Sequence, residues 1–487
     1  MDLLARIDHW GTIAPERPAH VSEGRVLTYG ELRAQSDALA SILTDELGDN
    51  RAPICVIGHK EPEMLIAFLG AVKSGRPYVP IDTSIPEARA ERIVRSAGSE
   101  LTLTPASVRE ALARVEASAK PKPVSGDDPY YIIFTSGSTG EPKGVVITLS
   151  CLTTFVDWTL GEQKFPELDE TFLNQAPFSF DLSVMDLYSS LASGGTLFSI
   201  TKEAIANPKL LYQAFGSSGI TTWVSTPSFA QMCLVEKSFG PEMLPQIRRF
   251  WFCGETLANE TAAQLLDRFP GAEVWNTYGP TEATVATTSI RVDRDVLAKH
   301  APLPVGYVMP GTRIAIMDEH RATVPEGERG EIVIIGPNVS TGYLGRPDLT
   351  EKAFFATDGT RAYRTGDWGR TRDGLIFFEG RMDSQIKLHG YRIELGDIET
   401  HLRNLPVVSD AVVLVAEKNG KPDSLAGFVV LRERGAGSDF EISLQFKKQL
   451  AEKLPAYMVP RKFTFLDAFP MTANGKADRR KLAELLR

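Results

Sequence analysis

Apolar and polar positions in the first part of the chain follow a β-α-β rhythm. An apolar run at residues 54–57 precedes an amphipathic stretch at 61–73, and a second apolar run follows at 78–81. Short buried strands joined by helices pair mostly in parallel, because each crossover brings the chain back to start the next strand in the same direction. The pattern predicts the α/β fold class for a large N-terminal domain.

The pattern changes twice toward the C-terminus. Between residues 305 and 378, short strands at 313–317, 331–335 and 375–378 are separated by Gly and Pro turns, which predicts a small β-barrel-like unit. Beyond residue 380, two helices and two strands (411–416 and 425–431) predict an α+β lobe. The apolar helix faces are Leu395, Ile398, Leu402 and Leu405 on the first helix, and Phe446, Leu450 and Leu454 on the second.

Length and charge limit the functions to consider. The 487 residues correspond to about three domain-sized units. A net charge of −9 argues against nucleic acid as a partner. Residues 384–487 carry 17 Lys and Arg against 13 Asp and Glu, so this lobe alone is basic. The imbalance is either a chance surface property or a sign that the lobe faces an anion.

Cysteine spacing and hydropathy favour a cytoplasmic protein. Cys55, Cys151, Cys233 and Cys253 lie far apart, which argues against a disulfide framework and against a cysteine zinc site. The N-terminus shows no secretory signal, and no apolar run approaches the ~20 residues that a membrane span needs. We therefore expect no membrane insertion.

A loop rich in glycine and hydroxyl groups is the strongest candidate for phosphate binding. Residues 135–144, TSGSTGEPKG, follow the apolar run 130–134. Glycines let backbone N–H groups approach an anion closely, while Lys143 supplies a positive charge. The loop lacks the Walker A spacing, and the β-branched residues 145–147 predict a strand after it rather than a helix.

This loop resembles the signature of the ANL superfamily of adenylate-forming enzymes. The superfamily's other motifs follow in order across the whole chain: LTYGEL at 27–32, NTYGPTE at 276–282, GEI at 330–332, YRTGD at 363–367, GRMD at 380–383 and NGK at 474–476. Residues 174–183, 252–255 and 387–392, with His389 in the last segment, are similar to ligases that charge a carrier protein with D-alanine for teichoic acid synthesis.

The resemblance implies that an amino-acid carboxylate attacks the α-phosphate of ATP, and that a thiol then captures the acyl group. It assigns ATP binding to nine residues and Mg²⁺ binding to Glu282. The nine are Thr135, Ser136, Thr139 and Lys143 for the phosphates, Asn276 and Tyr278 for the adenine, Asp367 and Arg381 for the ribose, and Thr281 for ATP without a more specific contact. Carboxylate and phosphate oxygens suit a hard ion such as Mg²⁺.

The same resemblance implies roles for the amino acid and for domain motion. Asp181 is expected to bind the substrate ammonium, and Cys253 and Val285 to line the pocket for the D-alanine side chain. Lys476 is the expected catalytic residue, on a mobile lobe (384–487) that rotates about Asp383 relative to the core domain (1–380). Eleven residues follow Lys476, so the phosphopantetheine-bearing carrier protein is expected in trans.

Three alternatives remain open at this stage. The chain is otherwise a free-standing adenylation domain for another small amino acid in a peptide synthetase system, a carboxylate:CoA ligase, or an ATP-binding regulator without catalysis. Asp181 argues against the CoA ligase, because fatty and aryl acids have no ammonium to bind. Glu282, Asp367 and Lys476 argue against the regulator.

Overall fold

The computed structural model describes residues 2–114, 119–136, 141–382, 385–388, 391–418, 421–433, 437–471 and 477–486. The chain divides into two compact units. The first consists of Met1–Asp82, Ala97–Ile133 and Gly144–Met382, and the second of Thr83–Ser96, Phe134–Lys143 and Asp383–Arg487.

The helices lie in both units and are numbered in chain order. They are α1 (Leu3–Ile13), α2 (Tyr29–Leu47), α3 (Pro62–Lys73), α4 (Glu87–Ala97), α5 (Pro105–Arg114), α6 (Leu149–Gln163), α7 (Leu182–Ser193), α8 (Lys202–Ala206), α9 (Pro208–Ser218), α10 (Pro227–Leu234), α11 (Asn259–Arg268), α12 (Arg294–Lys299), α13 (Pro347–Ala353), α14 (Leu395–Arg403), α15 (Asp439–Ala451) and α16 (Arg479–Glu484). Short 3₁₀ turns cover Thr281–Ala283 and Ala456–Met458.

The strands are numbered in the same way. They are β1 (Pro18–Ser22), β2 (Arg25–Thr28), β3 (Ile54–Gly58), β4 (Tyr78–Asp82), β5 (Leu101–Leu103), β6 (Pro129–Thr135), β7 (Lys143–Thr148), β8 (Thr171–Asn174), β9 (Thr196–Ser199), β10 (Thr222–Ser225), β11 (Arg249–Phe252), β12 (Glu273–Tyr278), β13 (Thr288–Arg291), β14 (Tyr307–Val308), β15 (Arg313–Met317), β16 (Gly330–Ile335), β17 (Phe354–Thr357), β18 (Thr360–Arg372), β19 (Leu375–Arg381), β20 (Gln385–Leu388), β21 (Tyr391–Glu394), β22 (Val408–Lys418), β23 (Lys421–Leu431) and β24 (Lys462–Phe465).

Two large sheets form the frame of the first unit. The nine-stranded sheet has the order β14-β13-β12-β11-β10-β8-β9-β1-β2, and the five-stranded sheet has the order β5-β3-β4-β6-β7. The central pairs of the nine-stranded sheet, from β12 to β9, are parallel, whereas its outer pairs β1–β2, β12–β13 and β13–β14 are antiparallel. This confirms the predicted α/β class and the mostly parallel pairing.

Helix α3 shows why the first β-α-β prediction was correct. All twelve of its residues are buried, and a helix that is apolar around most of its circumference belongs in a protein interior. Pro62 occupies the first turn, where its missing N–H costs nothing. The LTYGEL motif also has a local structural role, because Thr28 and Glu31 form a reciprocal capping box at the start of α2.

The predicted small β unit is present and larger than expected. Strands β15-β16-β18-β17 form a sheet that β19 extends by pairing with β18. The sequence pattern gave β15, β16 and β19 but missed β17 and β18. Strand β18 alternates buried and partly exposed residues along most of its length and ends at exposed Arg372. Ile332, Ile334 and Tyr363 lie in the core of this sheet.

The second unit contains the predicted α+β lobe. Strands β22-β23-β24 form its main sheet, and α14 and α15 pack on it around Ile398, Leu402 and Leu450. Both helices are shorter than their apolar patterns, since Leu405 and Leu454 lie beyond the helix ends and are still buried. No helix in the described part of the chain has the length and apolarity to cross a bilayer.

Candidate active site

The described phosphate-loop candidates lie at the junction of two strands, with Thr135 at the end of β6, Ser136 directly after it and Lys143 at the start of β7. Ser136 is buried, and its hydroxyl donates to the Arg392 carbonyl (3.1 Å) and accepts from the Glu394 N–H (3.2 Å) within the second unit. The Thr135 hydroxyl is buried without a partner among the described residues. A buried donor without a partner is a group that a bound anion can satisfy. Lys143 begins β7, so a strand and not a helix follows the loop.

The nucleotide candidates of the first unit converge on one carboxylate. Tyr278 donates from its phenol to Asp367 Oδ2 at 2.5 Å, and Arg381 donates to Asp367 Oδ1 at 2.6 Å. Arg381 also donates to the Thr365 carbonyl at 2.9 Å. Burial, followed by the nearby negative charge of Asp367, raises the pKa of Tyr278 well above its usual value, so the phenol keeps its proton. Asp367 is thereby held on both oxygens.

Asn276 lies on β12, two residues before Tyr278, inside the nine-stranded sheet. Its Nδ2 donates to the Pro304 carbonyl at 2.8 Å, and its side chain is buried. This bond fixes the amide, so that Oδ1 is the atom with which it can accept a hydrogen bond from an amine such as that of adenine. Tyr278 packs against Phe378 with ring centroids 5.9 Å apart, so its ring also serves the core.

The candidate metal ligand Glu282 is fully buried in the 3₁₀ turn Thr281–Ala283, and Thr281 is buried beside it. Tyr343 donates from its phenol to Glu282 Oε1 at 2.7 Å. Among the described residues no group of three or more His, Cys, Asp or Glu could hold a metal. A single buried carboxylate fits Mg²⁺, which commonly takes one or two protein carboxylates and completes its shell with water and phosphate oxygens.

Asp181 is at the N-terminal end of α7, but its side chain makes no capping bond to that helix. It is partly buried. Its charge contributes to the raised pKa of the buried Tyr131 phenol, after the larger effect of burial, which places the two groups near each other. The Asp181 carboxylate therefore does not cap its own helix.

Cys253 and Val285, the two residues predicted to line the side-chain pocket, contact each other. Cys253 Sγ lies 3.6 Å from the Val285 carbonyl oxygen, and both residues are buried. Val285 has φ +71°, and the Ala286 N–H donates to the Thr284 carbonyl at 2.9 Å, closing a γ-turn around Val285. A positive φ is unfavourable for a β-branched residue, so the surrounding structure holds this turn under strain.

Glycine is required opposite this turn. A Cβ at Gly279 would lie 2.6 Å from the Ala286 Cα and 2.8 Å from the Val285 carbonyl oxygen. The glycine of the NTYGPTE motif therefore allows the backbone of β12 to pass close to the strained turn. The sequence motif contains this glycine, but the contact that explains it comes only from the fold.

Some predicted residues lie outside the described part of the chain, and one functional contact was missed. Thr139, Asp383 and Lys476 are not among the described residues, so their roles stay predictions. Tyr343, the hydrogen-bond donor to Glu282, was not singled out from the sequence. It stands 61 residues away in the chain, and no local pattern marks it.

The chain is similar to known protein families and to solved structures over most of its length. The family model "AMP-binding enzyme" matches residues 7–344, and "AMP-binding enzyme C-terminal domain" matches residues 397–476. The chain is 50% identical over 499 aligned positions to the D-alanine–D-alanyl carrier protein ligase of Bacillus mycoides strain KBAB4, covering 99% of both chains. It is also 50% identical, over 498 positions and 99% of both chains, to the ligase of the same name from Bacillus anthracis strain CDC 684 / NRRL 3495.

Solved structures share the fold. The Vibrio cholerae adenylation domain AlmE, in complex with glycyl-adenosine-5'-phosphate, superposes with a TM-score of 0.86 at 22% identity, covering 99% of this chain and 97% of that one. Holo-PA1221, an NRPS protein containing adenylation and PCP domains, gives a TM-score of 0.83 at 27% identity, covering 99% and 84%. The chain therefore belongs to the AMP-binding enzymes of the ANL superfamily, and it is similar over its full length to D-alanine–D-alanyl carrier protein ligases.

Proposed function

We propose that this protein is an AMP-forming ligase that activates D-alanine with ATP and transfers it to the phosphopantetheine thiol of a separate carrier protein. The observation that carries the proposal is the 50% identity to curated ligases of that name over 99% of the chain. The geometry supports the proposal in two ways. Asp181 supplies a carboxylate for the ammonium of an amino acid, and the close contact between the buried Cys253 and Val285 suits a small side chain.

The first half-reaction joins two anions. A carboxylate oxygen of D-alanine attacks the α-phosphorus of ATP, the bond to the β-phosphate oxygen breaks, and pyrophosphate leaves. Asp181 binds the substrate ammonium, while Asp367, fixed by Tyr278 and Arg381, accepts hydrogen bonds from the ribose hydroxyls. Lys476 brings its ammonium between the carboxylate and the α-phosphate, where it screens the negative charge that accumulates in the transition state.

Thr135, Ser136, Thr139 and Lys143 hold the β- and γ-phosphates in this proposal. Glu282 is the residue that would hold Mg²⁺, with Tyr343 fixing its carboxylate. The ion supplies positive charge that neutralises phosphate oxygens when it is bound. The Ser136 hydroxyl is hydrogen-bonded to the backbone of β21. For this hydroxyl to donate to a phosphate oxygen, its bond to the Arg392 carbonyl must first break.

The second half-reaction is thioester formation. The thiol sulfur of the carrier attacks the acyl carbonyl, the acyl–phosphate bond breaks, AMP leaves and the thiol proton is released. We assign the two half-reactions to two positions of the lobe 384–487 relative to the domain 1–380, with Asp383 as the pivot. The carrier acts in trans, and the basic charge of the lobe suits an acidic partner surface.

ATP–pyrophosphate exchange with a panel of D- and L-amino acids and short fatty acids tests the proposal. We expect exchange with D-alanine well above that with L-alanine, glycine or D-serine, and none with fatty acids. Transfer of labelled D-alanine to a holo-carrier protein, with the apo-carrier as control, tests the second step. Preference for another amino acid would support the peptide-synthetase alternative instead, and preference for a fatty acid would support the CoA ligase.

A further inference from the structure

Lys60 is a buried cation that no motif of the superfamily brought to attention. It lies two residues after the end of β3 and is only 1% exposed. Its ammonium donates to Asn174 Oδ1 at 2.5 Å and to the Ala176 carbonyl, and it lies 4.5 Å from the centroid of the Phe178 ring. All three contacts are to one short stretch of chain at the end of β8.

Asn174 connects this ammonium to a buried carboxylate. Its Nδ2 donates to Asp186 Oδ2 at 3.1 Å, and the Leu187 N–H donates to Asp186 Oδ1 at 2.8 Å. Ser199 also donates to Asn174 Oδ1, at 2.7 Å. The asparagine amide therefore bridges the two buried side chains, with its oxygen toward Lys60 and its nitrogen toward Asp186.

Burial disfavours the charged forms of both Lys60 and Asp186. Burial lowers the pKa of Lys60 to about 8, and the negative charges of Asp186 and then Asp82 oppose this effect. Burial raises the pKa of Asp186 to about 8. The titratable groups around Lys60 include Asp186 on α7, Asp82 at the end of β4, His20 on β1 and the adjacent His59, which pairs with Asp82. An ammonium in such a place is stabilised only by good partners, and its direct partners are groups of the same short segment.

This segment carries the carboxylate proposed to recognise the substrate. Residues 175–181 run from the end of β8 to the start of α7 and end at Asp181. Lys60 holds the front of the segment, at Asn174 and Ala176, while the bridge through Asn174 to Asp186 ties it to α7. Within the segment the Phe180 N–H donates to the Pro177 carbonyl at 2.9 Å. Its path is therefore held at the front, by Lys60 and Asp186, and in the middle, by the turn from Pro177 to Phe180.

We propose that Lys60 is a positioning residue for amino-acid recognition, acting through Asn174 and Ala176 to set the direction in which Asp181 presents its carboxylate. The proposal rests on the assignment of Asp181 to the substrate ammonium. Under this proposal Lys60, a buried residue more than a hundred positions before Asp181 in the sequence, contributes to substrate selection. A displaced Asp181 would weaken amino-acid binding while leaving the nucleotide contacts of Tyr278, Asp367 and Arg381 intact.

The test is Lys60→Met, which keeps the length and apolar stem of the side chain and removes the ammonium. Pyrophosphate exchange is measured as a function of amino-acid and of ATP concentration. We expect the KM for the amino acid to rise roughly 10- to 100-fold, in line with the effect of a displaced binding group. The KM for ATP should change less than about twofold. Equal changes in both KM values, or none, would overturn the proposal.

Lys73→Met is the matched control. Lys73 is also a buried lysine of the first unit, but its ammonium bonds to Asp8 (2.7 Å), Asp37 (2.6 Å) and Ser36 (3.0 Å) and not to the 175–181 segment. Both variants lose a buried cation and both should unfold at a lower temperature. Only Lys60→Met should change the KM for the amino acid. If Lys73→Met changes it equally, the effect of Lys60 is general destabilisation.

Asp186→Asn covers the case in which Lys60→Met does not fold. In the wild type, one Asp186 oxygen accepts from Asn174 and the other from Leu187. In the variant the amide NH₂ replaces one of these oxygens, so in either orientation it faces the N–H of Asn174 or of Leu187. The anchor of the segment is then disturbed with no change of shape, and the KM for the amino acid should rise in the same selective manner. An unchanged KM would reject the proposal.

The wild-type substrate panel separates the two hypotheses. If the wild type activates an amino acid other than D-alanine, the D-alanine assignment fails, and the Lys60 comparison is made with the amino acid that it does activate. If the wild type uses D-alanine and Lys60→Met leaves its KM unchanged, only the positioning role fails.

Discussion

The Tyr278 phenol and the Asp367 carboxylate, 89 residues apart in the chain, are joined by a hydrogen bond of 2.5 Å. Arg381 holds the other carboxylate oxygen at 2.6 Å. Each Asp367 oxygen keeps a further lone pair, because a carboxylate can accept about four hydrogen bonds. The acid proposed to bind the ribose is thus oriented before any nucleotide arrives.

Tyr278→Phe tests this orientation. The ring and its packing on Phe378 remain, but Asp367 loses one of its two fixed partners. A hydrogen bond to a charged group contributes about 1.5–3 kcal/mol, so we expect the KM for ATP to rise about 10-fold or more with a smaller effect on the KM for the amino acid. Tyr307→Phe, at an exposed tyrosine, is the control. An unchanged KM for ATP would contradict the prediction.

Asp181→Asn should raise the KM for the amino acid at least about 10-fold, because the neutral amide leaves the substrate ammonium without its counter-charge. The KM for ATP should change little. Asp358→Asn makes the same charge change at an exposed loop position and should affect neither. A parallel loss of ATP affinity would mean that Asp181 is a structural or nucleotide-binding residue.

Lys476→Ala should slow adenylation by about 10²- to 10³-fold, the usual cost of losing one group that stabilises transition-state charge. Transfer to the carrier thiol from preformed D-alanyl-AMP should be much less affected, and the unfolding temperature should not change. Single-turnover measurements of each half-reaction give the comparison. Lys481→Ala, at an exposed lysine of α16, is the control. Equal losses in both half-reactions would refute the assignment.

Cys253→Ala should relax the preference for D-alanine, mainly by improving L-alanine. With the ammonium and carboxylate fixed, the two enantiomers exchange the positions of hydrogen and methyl at the α-carbon. A thiol in one of those directions excludes the L-methyl, an effect limited to about 1–3 kcal/mol. The check is kcat/KM for both enantiomers. Cys233→Ala removes a buried thiol from another core cluster and should leave the ratio of kcat/KM for D- and L-alanine unchanged. If the ratio is also unchanged in Cys253→Ala, the Cys253 thiol does not contribute to selectivity.

His20→Asn should remove a pH dependence of stability. Burial lowers the pKa of His20 to about 3, against an ordinary 6.5. Between these values the unfolded chain binds a proton that the folded chain does not, so acidification favours unfolding. From pH 7 to pH 5 the wild type should therefore lose about 2 kcal/mol more than the variant. Denaturation at both pH values measures this, and parallel losses would show that His20 does not titrate as described.

The fold was predictable where burial is continuous, and less so where the ends of elements are set by tertiary contacts. Helix α3 and strands β3 and β4 follow from unbroken apolar runs. The apolar period predicts a helix that reaches Leu405, yet the structure buries Leu405 after α14 has ended at Arg403. Periodicity reports burial, not backbone conformation.

Motif resemblance supplies the candidate site residues, but it does not show the contacts between them. Motif resemblance gave Tyr278, Asp367 and Arg381 separately, and their shared hydrogen bonds depend on packing between β12, β18 and β19. Lys60 looks like an ordinary charged residue before a helix. Nothing in its neighbours along the chain shows that its partners, Asn174 and Ala176, lie more than a hundred residues away.

The γ-turn at Val285 sets a trade-off for anyone who engineers this protein. A laboratory selection for heat tolerance would favour glycine or asparagine there, since both accept φ near +71° at lower cost than a β-branched residue. The same exchange would remove the two methyl groups and loosen the carbonyl that lies 3.6 Å from Cys253. Under the proposed role of Cys253, thermal stability and selectivity for the D-enantiomer compete at Val285, so mutational libraries for thermal stability should leave this residue fixed.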